Sequence, residues 1–424
     1  MKSILDKIFR RTNNLDYISK EINSLSNQPH IKKLFKLFNN FSPDSEIRYV
    51  GGCIRKIIKK EVVDDIDLAT NLRPTEVIDI LERNNIDFFD TGLEHGTITV
   101  IIEDNKIEIT SLREDIKTDG RHAEVKFSKD WKKDALRRDF TINAIYSDAE
   151  GNLFDPFNGK DDLEKGLIKF IGNPEERIKE DFLRIIRYLR FFLGYSVKEH
   201  DPRVIRIIKK NLKSLSNLSK ERLLDELKKY ISSKLLTKLS NNKLSLELFE
   251  MIFPQIKKIK YFSKPNSFAQ KKIDEADFIF CLSILIIDGL DNTDYFFYKF
   301  NISKKDQKRL KNIDNFYSEK ITTKSFSEKN LNKLFYYYGK QTVLDILSYK
   351  LFVNKRIDQV LLKFLESFES KSQLLMPIGA KVLMNKYNIP EGKTLGAKLK
   401  LIEEEWVKNN FYISEKEIEK IVNN

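Results

Sequence analysis

The sequence predicts an α+β protein, in which a mixed or antiparallel sheet near the N-terminus is followed by an elongated all-α part. Segments rich in β-formers and separated by short turns occur only before about residue 150. From Pro174 almost to the C-terminus, apolar residues recur at the spacing of an α-helix. A chain of 424 residues is too long for one core, so we expect three domains, at residues 1–150, 151–270 and 271–424.

The first elements lead to a pair of glycines. Apolar residues recur at three and four from Ile4 to Phe38, which predicts helix, and Ile47 to Val50 is predicted to be a strand. The strand enters a turn at Gly51 and Gly52. Neither residue has a side chain, so the backbone amides of this turn can approach a phosphate closely.

Two aspartates follow on a second predicted strand, Val63 to Leu68. Asp65 and Asp67 lie at i and i+2, so their side chains project from one face of a strand. Paired carboxylates beside a phosphate-binding turn can hold a divalent metal next to a triphosphate. Either motif alone is more often a plain turn or a solvated cap, but their order and spacing favour a nucleotidyl-transfer site.

A third acid lies on a predicted hairpin. Pro74 opens a helix to Leu81, and the segments Gly96 to Ile102 and Lys106 to Thr110 then form two strands around a turn at residues 103–105. On the second of these strands Glu108 points away from its apolar neighbours and can join Asp65 and Asp67. Three carboxylates can hold two Mg²⁺ ions about 4 Å apart. Alone, Glu108 would be an ordinary solvent-facing residue.

Polar residues dominate the next two segments. Arg113 to Glu124 has no clear period and is predicted to be a mobile loop. The next segment, Arg137 to Ala144, begins with Arg137 and Arg138, whose guanidinium groups offer planar forks for phosphate. Asn143 in the same segment can bind sugar hydroxyls. Asp139 in the same segment can equally form a structural salt bridge with the sheet.

Glu180 to Phe191 is predicted to be one helix, on which Asp181 and Arg184 share a side. They can form a plain intrahelical ion pair. Alternatively, an Asp acceptor beside an Arg donor matches the amino group and ring nitrogen that cytosine and adenine both present, and rejects guanine and uracil. Such a pair could select two bases without any nucleic-acid template.

Charge is distributed unevenly along the chain. Residues 201–424 contain 42 Lys and Arg against 27 Asp and Glu. This excess can be a solvated surface, or, with the many Tyr and Phe residues there, an RNA-binding one. The two cysteines, Cys53 and Cys281, cannot form a disulfide framework, which fits a reducing compartment, and we expect the cytoplasm. No apolar run reaches the length of a membrane span, so we expect none, and we expect no obligate protein partner.

The motifs together resemble those of the tRNA nucleotidyltransferases, the CCA-adding enzymes of the class shared by bacteria and eukaryotes, within the polymerase-β-like superfamily. Ordered matches span about residues 47–226. The blocks that carry the resemblance are Gly51 to Arg55, Asp65 to Thr70, Glu108 to Arg113, Asp119 to Ala123, Arg137 to Ala144, Asp155 to Gly159, Glu180 to Phe191, and Leu218 to Arg222 with Glu226.

The resemblance implies a polymerase-β-like head, an all-α neck, body and tail, and Mg²⁺-dependent addition of C, C and A to the 3′ end of tRNA from CTP and ATP. Asp65 and Asp67 would bind Mg²⁺, with Glu108 as the third acid. The implied nucleotide-binding residues are Gly51, Gly52 and Arg55 for the triphosphate, Arg138, Asp139 and Asn143 for ribose and phosphates, and Asp181 and Arg184, with Arg187 alongside, for the base. The segment Asp119 to Ala123 would reposition the base-reading pair between C and A addition.

One departure and several alternatives accompany the resemblance. The family usually has Asp after the arginine of the glycine block, where this chain has Lys56. Bacterial poly(A) polymerases share the head and many of its motifs, whereas Ile389 to Gly392 resembles the tail of some CCA-adding enzymes. A partial enzyme that adds only CC or only A, and a non-catalytic tRNA-binding protein, are further alternatives. The four histidines are too scattered for a metal-dependent phosphohydrolase domain.

Overall fold

The computed structural model describes residues 17–118 and 123–423, which form two compact units divided between Glu226 and Leu227. Unit 1 contains the strands, and unit 2 is helical. Within these ranges, no helix has both the length and the apolar composition that crossing a bilayer requires.

Unit 1 is built on a seven-stranded mixed sheet with the order β3-β4-β5-β2-β1-β8-β9. All neighbouring strands are antiparallel except β2 and β5, which run parallel. A separate antiparallel pair, β6 and β7, follows β5 in the chain. The strands are β1 (Ile47–Val50), β2 (Asp67–Thr70), β3 (Asp87–Gly92), β4 (Thr97–Ile102), β5 (Asn105–Ser111), β6 (Arg113–Thr118), β7 (Ala123–Phe127), β8 (Tyr146–Ser147) and β9 (Leu153–Phe154).

Helices flank this sheet and make up the rest of the chain, so the predicted fold class is confirmed. Those of unit 1 are α1 (17–26), α2 (Pro29–Asn39), α3 (Gly52–Lys59), α4 (Pro74–Arg83), α5 (Trp131–Arg137), α6 (Gly159–Lys165), α7 (Pro174–Glu180), α8 (Leu183–Tyr195) and α9 (Pro202–Asn211). α10 (Lys220–Ser232) crosses the division. Unit 2 contains α11 (Leu236–Asn241), α12 (Lys243–Ile252), α13 (Ser267–Glu275), α14 (Phe278–Ile286), α15 (Asn292–Lys299), α16 (Lys304–Ser318), α17 (Glu328–Tyr338), α18 (Lys340–Val353), α19 (Gln359–Ser370), α20 (Ala380–Tyr387), α21 (Lys393–Lys408) and α22 (Glu415–Asn423).

The predicted hairpin is confirmed, and its turn explains its register. Glu103 and Asp104 have φ values of 49° and 64°, which gives the two-residue turn that joins tightly paired antiparallel strands. The helix predicted from Pro74 is also present and extends to Arg83. Residues 4–16 of the predicted N-terminal helix lie outside the described residues. The rest forms two helices, and the break between them falls just before Pro29, whose ring disfavours a continuous helix.

Three predicted elements are wrong in part. The second strand begins at Asp67 and not at Val63, because its neighbour β1 ends at Val50 and leaves residues 63–66 without a pairing partner on that side. Asp65 therefore lies in the loop before the strand. The segment predicted to be a loop from Arg113 contains β6 and β7, whose register shift between Asp115 and Lys117 interrupts the alternation that reveals a strand.

The third correction concerns the helix predicted over Glu180 to Phe191. It is interrupted at Asp181, whose backbone is extended with a φ of −152°, so that α7 ends at Glu180 and α8 begins at Leu183. Asp181 Oδ1 accepts a hydrogen bond of 3.1 Å from the Leu183 amide. Short acidic side chains often start helices in this way, and here the cap replaces helix continuation.

Candidate active site

The glycine turn connects β1 to α3 and lies directly against the predicted acids. Gly51 has a φ of +71°, a conformation that favours glycine. A Cβ atom on Gly51 would lie 3.7 Å from Arg138 Nη1, and one on Gly52 would lie 3.7 Å from Asp67 Oδ2. The amides of the first turn of α3 and the helix dipole favour an anion at this place.

Asp67 and Glu108 are opposite each other on the parallel strands β2 and β5. Burial, Asp65 and Glu108 together raise the pKa of Asp67 to about 6, against the opposing effect of Arg138 and Arg55. Across residues 17–118 and 123–423, no three His, Cys, Asp or Glu side chains come close enough together to surround a metal ion. The structure thus places the three acids as electrostatic neighbours and not as a preformed cage.

Arg55 begins a chain of polar contacts that runs from the glycine block to α8. Its buried guanidinium donates a hydrogen bond to Asn143 Oδ1. Asn143 in turn donates to Asp139 Oδ1 at 2.9 Å, and Arg187 Nε donates to Asp139 Oδ2 at 2.6 Å. Burial opposes ionisation of Asp139, but Arg187 and Asn143 outweigh it and lower its pKa to about 2. Asp139 therefore forms a structural salt bridge, but its partner Arg187 lies on α8 and not on the sheet.

Arg138 is fixed from the side opposite the glycines. Its Nη2 donates to Asp134 Oδ2 at 3.1 Å, and its Nε donates to the Tyr146 hydroxyl at 2.9 Å. The Tyr146 hydroxyl itself donates a hydrogen bond of 2.7 Å to Asp134 Oδ2. Although burial opposes it, the pair Arg138 and Arg137 holds the pKa of Asp134 well below its usual range. The Arg138 guanidinium is thus oriented with one edge towards Gly51 and the Asn143 carbonyl.

Asp181 and Arg184 do not pair with each other. Asp181 Oδ2 accepts a hydrogen bond of 2.7 Å from Arg222 Nη2 of α10. Arg184 Nη1 donates to Glu180 Oε2 at 2.7 Å and to the Arg177 carbonyl at 2.8 Å. The simple intrahelical ion pair is therefore absent from this part of the described chain.

Sequence reasoning did not identify the partners of the base-reading pair as site residues. Arg177 lies outside every motif, and Glu180 and Arg222 lie in motif blocks without an assigned role. A polar cavity of about 330 Å³ lies against Arg177 and Glu180, and its other lining residues are Glu114, Asp115, Lys133, Leu136 and Arg137. Asp119 to His122, predicted to reposition the pair, lie outside the described residues.

The unusual Lys56 has a partner. Its Nζ forms an ion pair with Asp64, which directly precedes Asp65 in the loop between α3 and β2. The hydrogen bond from Lys56 lowers the pKa of Asp64. A second contact on this loop runs from the Tyr195 hydroxyl of α8 to Glu61 Oε2 at 3.3 Å. The charge of Lys56 is thus paired with an acid of the loop between α3 and β2.

Two family profiles match parts of the chain. One is described as the poly A polymerase head domain and matches residues 47–169. The other, described as the probable RNA and SrmB-binding site of polymerase A, matches residues 200–260. Both lie within or overlap the region in which the motifs occur.

Curated relatives extend the match. The CCA-adding enzyme of Staphylococcus haemolyticus is 32% identical over 308 residues, which are 72% of this chain and 72% of that protein. CCA tRNA nucleotidyltransferase 1, mitochondrial, of Homo sapiens is 42% identical over 204 residues, 47% of this chain and 46% of the human one. The chain thus spans about half the length of the human, mouse and zebrafish relatives that it matches.

Solved structures share the fold along most of the chain. The Bacillus stearothermophilus CCA-adding enzyme in complex with CTP has a TM-score of 0.68 at 20% identity, and the match covers 93% of this chain and 98% of that one. The Thermotoga maritima CCA-adding enzyme complexed with tRNA has a TM-score of 0.59 at 18% identity, with 95% and 98% covered.

Proposed function

The chain belongs to the family of CCA-adding enzymes, and from that premise we propose that it adds C, C and A to the 3′ end of tRNA without a nucleic-acid template. In each step the tRNA 3′ oxygen forms a bond to the α-phosphorus of CTP or ATP. The bond between that phosphorus and its bridging oxygen breaks, and diphosphate leaves.

One observation carries the proposal: Asp67 and Glu108 face each other across parallel strands, directly beside the glycine turn. Two acids next to an anion-binding helix start would repel a triphosphate by themselves. They become useful only with a divalent cation between them and the phosphates. This combination supports nucleotidyl transfer over simple RNA binding.

We infer that Asp65 and Asp67 hold Mg²⁺, with Glu108 as a third acid. The fit rests on chemistry, since carboxylate oxygens are the ligands that Mg²⁺ prefers. Burial, and to a lesser degree Asp65 and Glu108, raise the pKa of Asp67, so a divalent cation beside it would stabilise its charged form. When bound, the metal would activate the attacking hydroxyl and neutralise the triphosphate.

Of the remaining residues, some would bind the nucleotide and others would hold the binding residues in place. Gly51, Gly52, Arg55 and Arg138 surround the place for the triphosphate. Asn143 lies between Arg55 and Asp139, where its amide can serve the ribose. Asp139 and Arg187 are paired at 2.6 Å, so we assign them the role of holding this frame to α8.

Base choice belongs to Asp181 and Arg184 in this proposal. Asp181 accepts from the amino group of cytosine or adenine, and Arg184 donates to the adjacent ring nitrogen. Both side chains are already engaged, by Arg222 and Glu180 respectively, so the base has to share or displace these contacts.

We propose further that the basic residues 201–424 bind the tRNA and that the domain limits are 1–150, 151–270 and 271–424. The excess of Lys and Arg there supports the first point. Both cysteines are free, which supports the cytoplasm as the compartment, although one relative carries a mitochondrial name.

Incorporation into a tRNA that lacks CCA tests the function. We expect CTP alone to add two residues and CTP with ATP to add three, each followed on a sequencing gel with labelled tRNA. Long tracts from ATP alone would identify a poly(A) polymerase, and addition of only CC or only A would identify a partial enzyme. Tight tRNA binding without incorporation would contradict catalysis altogether.

A further inference from the structure

The ring of Phe191, on α8, is surrounded by three guanidinium groups. Their Cζ atoms lie 4.4 Å (Arg190), 4.8 Å (Arg55) and 5.4 Å (Arg187) from the ring centroid. The ring itself is buried, with 3% of its surface exposed. Contacts of this kind attract a cation to the negative face of the ring, but they do not cancel its charge.

The three arginines differ in their other partners. Arg187 is paired with Asp139 at 2.6 Å, and Arg190 with Glu226 at 2.9 Å. For Arg55, among residues 17–118 and 123–423, the hydrogen-bond partner is the neutral Asn143 amide, and Nε has none. Its other contact is a second ring of α8, Tyr195, at 5.1 Å.

Arg55 is therefore a buried cation held by two aromatic faces and an amide oxygen. A buried charge without an ion pair is costly, and a phosphate bound at the glycine turn would supply one. The guanidinium is near that turn, because its partner Asn143 has its carbonyl oxygen 3.8 Å from the place of a Cβ atom on Gly51.

We propose that Phe191 and Tyr195 are positioning residues, which hold the guanidinium of Arg55 in place for the triphosphate of the incoming nucleotide. This inference rests on the proposed function. Arg187 and Arg190 share the ring but are neutralised by carboxylates, so they hold α8 in place. One helix then serves both halves of the nucleotide, since Arg184 lies two turns before the ring, about 10 Å away along α8.

The division of labour predicts a specific phenotype. The triphosphate is the same in all four nucleotides, so losing the rings must weaken CTP and ATP equally and leave base choice unchanged. A merely structural ring would instead lower stability without a selective effect on nucleotide affinity.

The test compares Phe191→Leu and Tyr195→Leu with a matched control, Phe192→Leu, in the full chain. Phe192 is the next residue on α8 and is also buried, but its ring stacks on His200, with 3.4 Å between the ring centroids. Binding of CTP and of ATP without tRNA is measured by calorimetry, KM and kcat are measured with tRNA, and thermal unfolding is recorded for each variant.

We expect Phe191→Leu and Tyr195→Leu to raise Kd and KM for both nucleotides about three- to thirtyfold, the range from an exposed to a desolvated cation–π contact. We expect kcat and the ratio of CTP to UTP use to change little, and Tyr195→Phe to restore the lost affinity. Phe192→Leu should lower the melting temperature but keep the affinity of the wild type.

Equal affinity in Phe191→Leu and the wild type would overturn the inference, as would an equal loss in Phe192→Leu. If Phe191→Leu fails to fold, the half-exposed Tyr195→Leu decides by the same measurement. A wild-type chain that binds neither nucleotide would contradict the proposed function itself, and this inference with it.

Discussion

Arg222 of α10 donates a hydrogen bond of 2.7 Å to Asp181 Oδ2, while the other carboxylate oxygen caps the start of α8. Both oxygens of Asp181 thus have fixed directions before any nucleotide arrives. Arg184 is fixed in the same way by Glu180 and by the Arg177 carbonyl. If this pair selects the base, it does so with preset geometry, which is what rejection of the wrong hydrogen-bonding pattern requires.

Removing the acceptor should relax base choice. In Asp181→Ala the acidic site is left in place, so the variant should still transfer nucleotides. It should lose about 10- to 100-fold of its preference for CTP and ATP over UTP and GTP, the equivalent of ~1–3 kcal/mol. Misincorporation is measured with all four nucleotides, and Glu176→Ala, an exposed acid of α7, is the control. Unchanged discrimination would leave Asp181 as a helix cap only.

Asp67→Asn should abolish addition. The change keeps the shape of the side chain and removes the charge that would hold the metal. Because a metal ion contributes several kcal/mol to such reactions, we expect turnover to fall about a thousandfold or more, while Kd for tRNA stays within about twofold. Asp87→Asn, at the start of the edge strand β3, is the control. Near-normal turnover in Asp67→Asn would remove this residue from the site.

Much of the site can be read from the chain because its parts are local. Gly51 is needed where the backbone takes a positive φ, and Glu108 follows a two-residue turn that the sequence marks. The register between β2 and β5 pairs residues about 40 positions apart, and no local pattern encodes it. The same holds for Arg222 and for the rings around Arg55, which depend on how α8 packs.

The errors also have local causes. The spacing of apolar residues around Asp181 is that of one continuous helix. The helix ends there because the Asp181 carboxylate accepts a hydrogen bond from the Leu183 amide and so caps the next helix. Lys56 stands where the family usually has Asp, and its ion-pair partner Asp64 follows eight residues later in the chain.

Affinity for tRNA should depend strongly on salt and on the rear of the chain. Counterion release predicts that Kd rises at least about tenfold between 50 and 200 mM salt. We expect a chain that ends at Glu226 and is folded by circular dichroism to bind tRNA much more weakly than the full chain, since most of the basic excess is then lost. Equal binding by the two chains would place the tRNA surface in unit 1.

Acid should destabilise the protein through His200, whose ring stacks on Phe192 of α8. Burial lowers the pKa of His200 to about 4. As the pH falls below about 6.5 the unfolded chain takes up a proton that the folded chain refuses, so stability is lost between pH 6.5 and 4. From pH 7 to 5 this effect lowers the free energy of unfolding by about 1–2 kcal/mol. In urea unfolding, the loss over this pH range should be smaller by that amount in His200→Phe than in the wild type. An equal loss in variant and wild type would assign the acid sensitivity to other groups.

The ion pair between Lys56 and Asp64 should behave as a unit that can be reversed. It ties α3 to the loop that carries Asp65, so Lys56→Asp places two carboxylates against each other there and should displace the loop. We expect Lys56→Asp and Asp64→Lys each to raise the Mg²⁺ concentration needed for half-maximal addition about two- to fivefold, in keeping with ~1 kcal/mol for an exposed pair. The double variant should recover most of this loss. Hydrogen exchange of residues 61–66, a measurement independent of activity, should likewise be faster in the single variants and close to the wild type in the double variant. Lys59→Asp, one turn further along α3, is the control that Asp64→Lys should not rescue. If the double variant is no better than the two single ones, the pair is an incidental surface contact and the loop is held by other means.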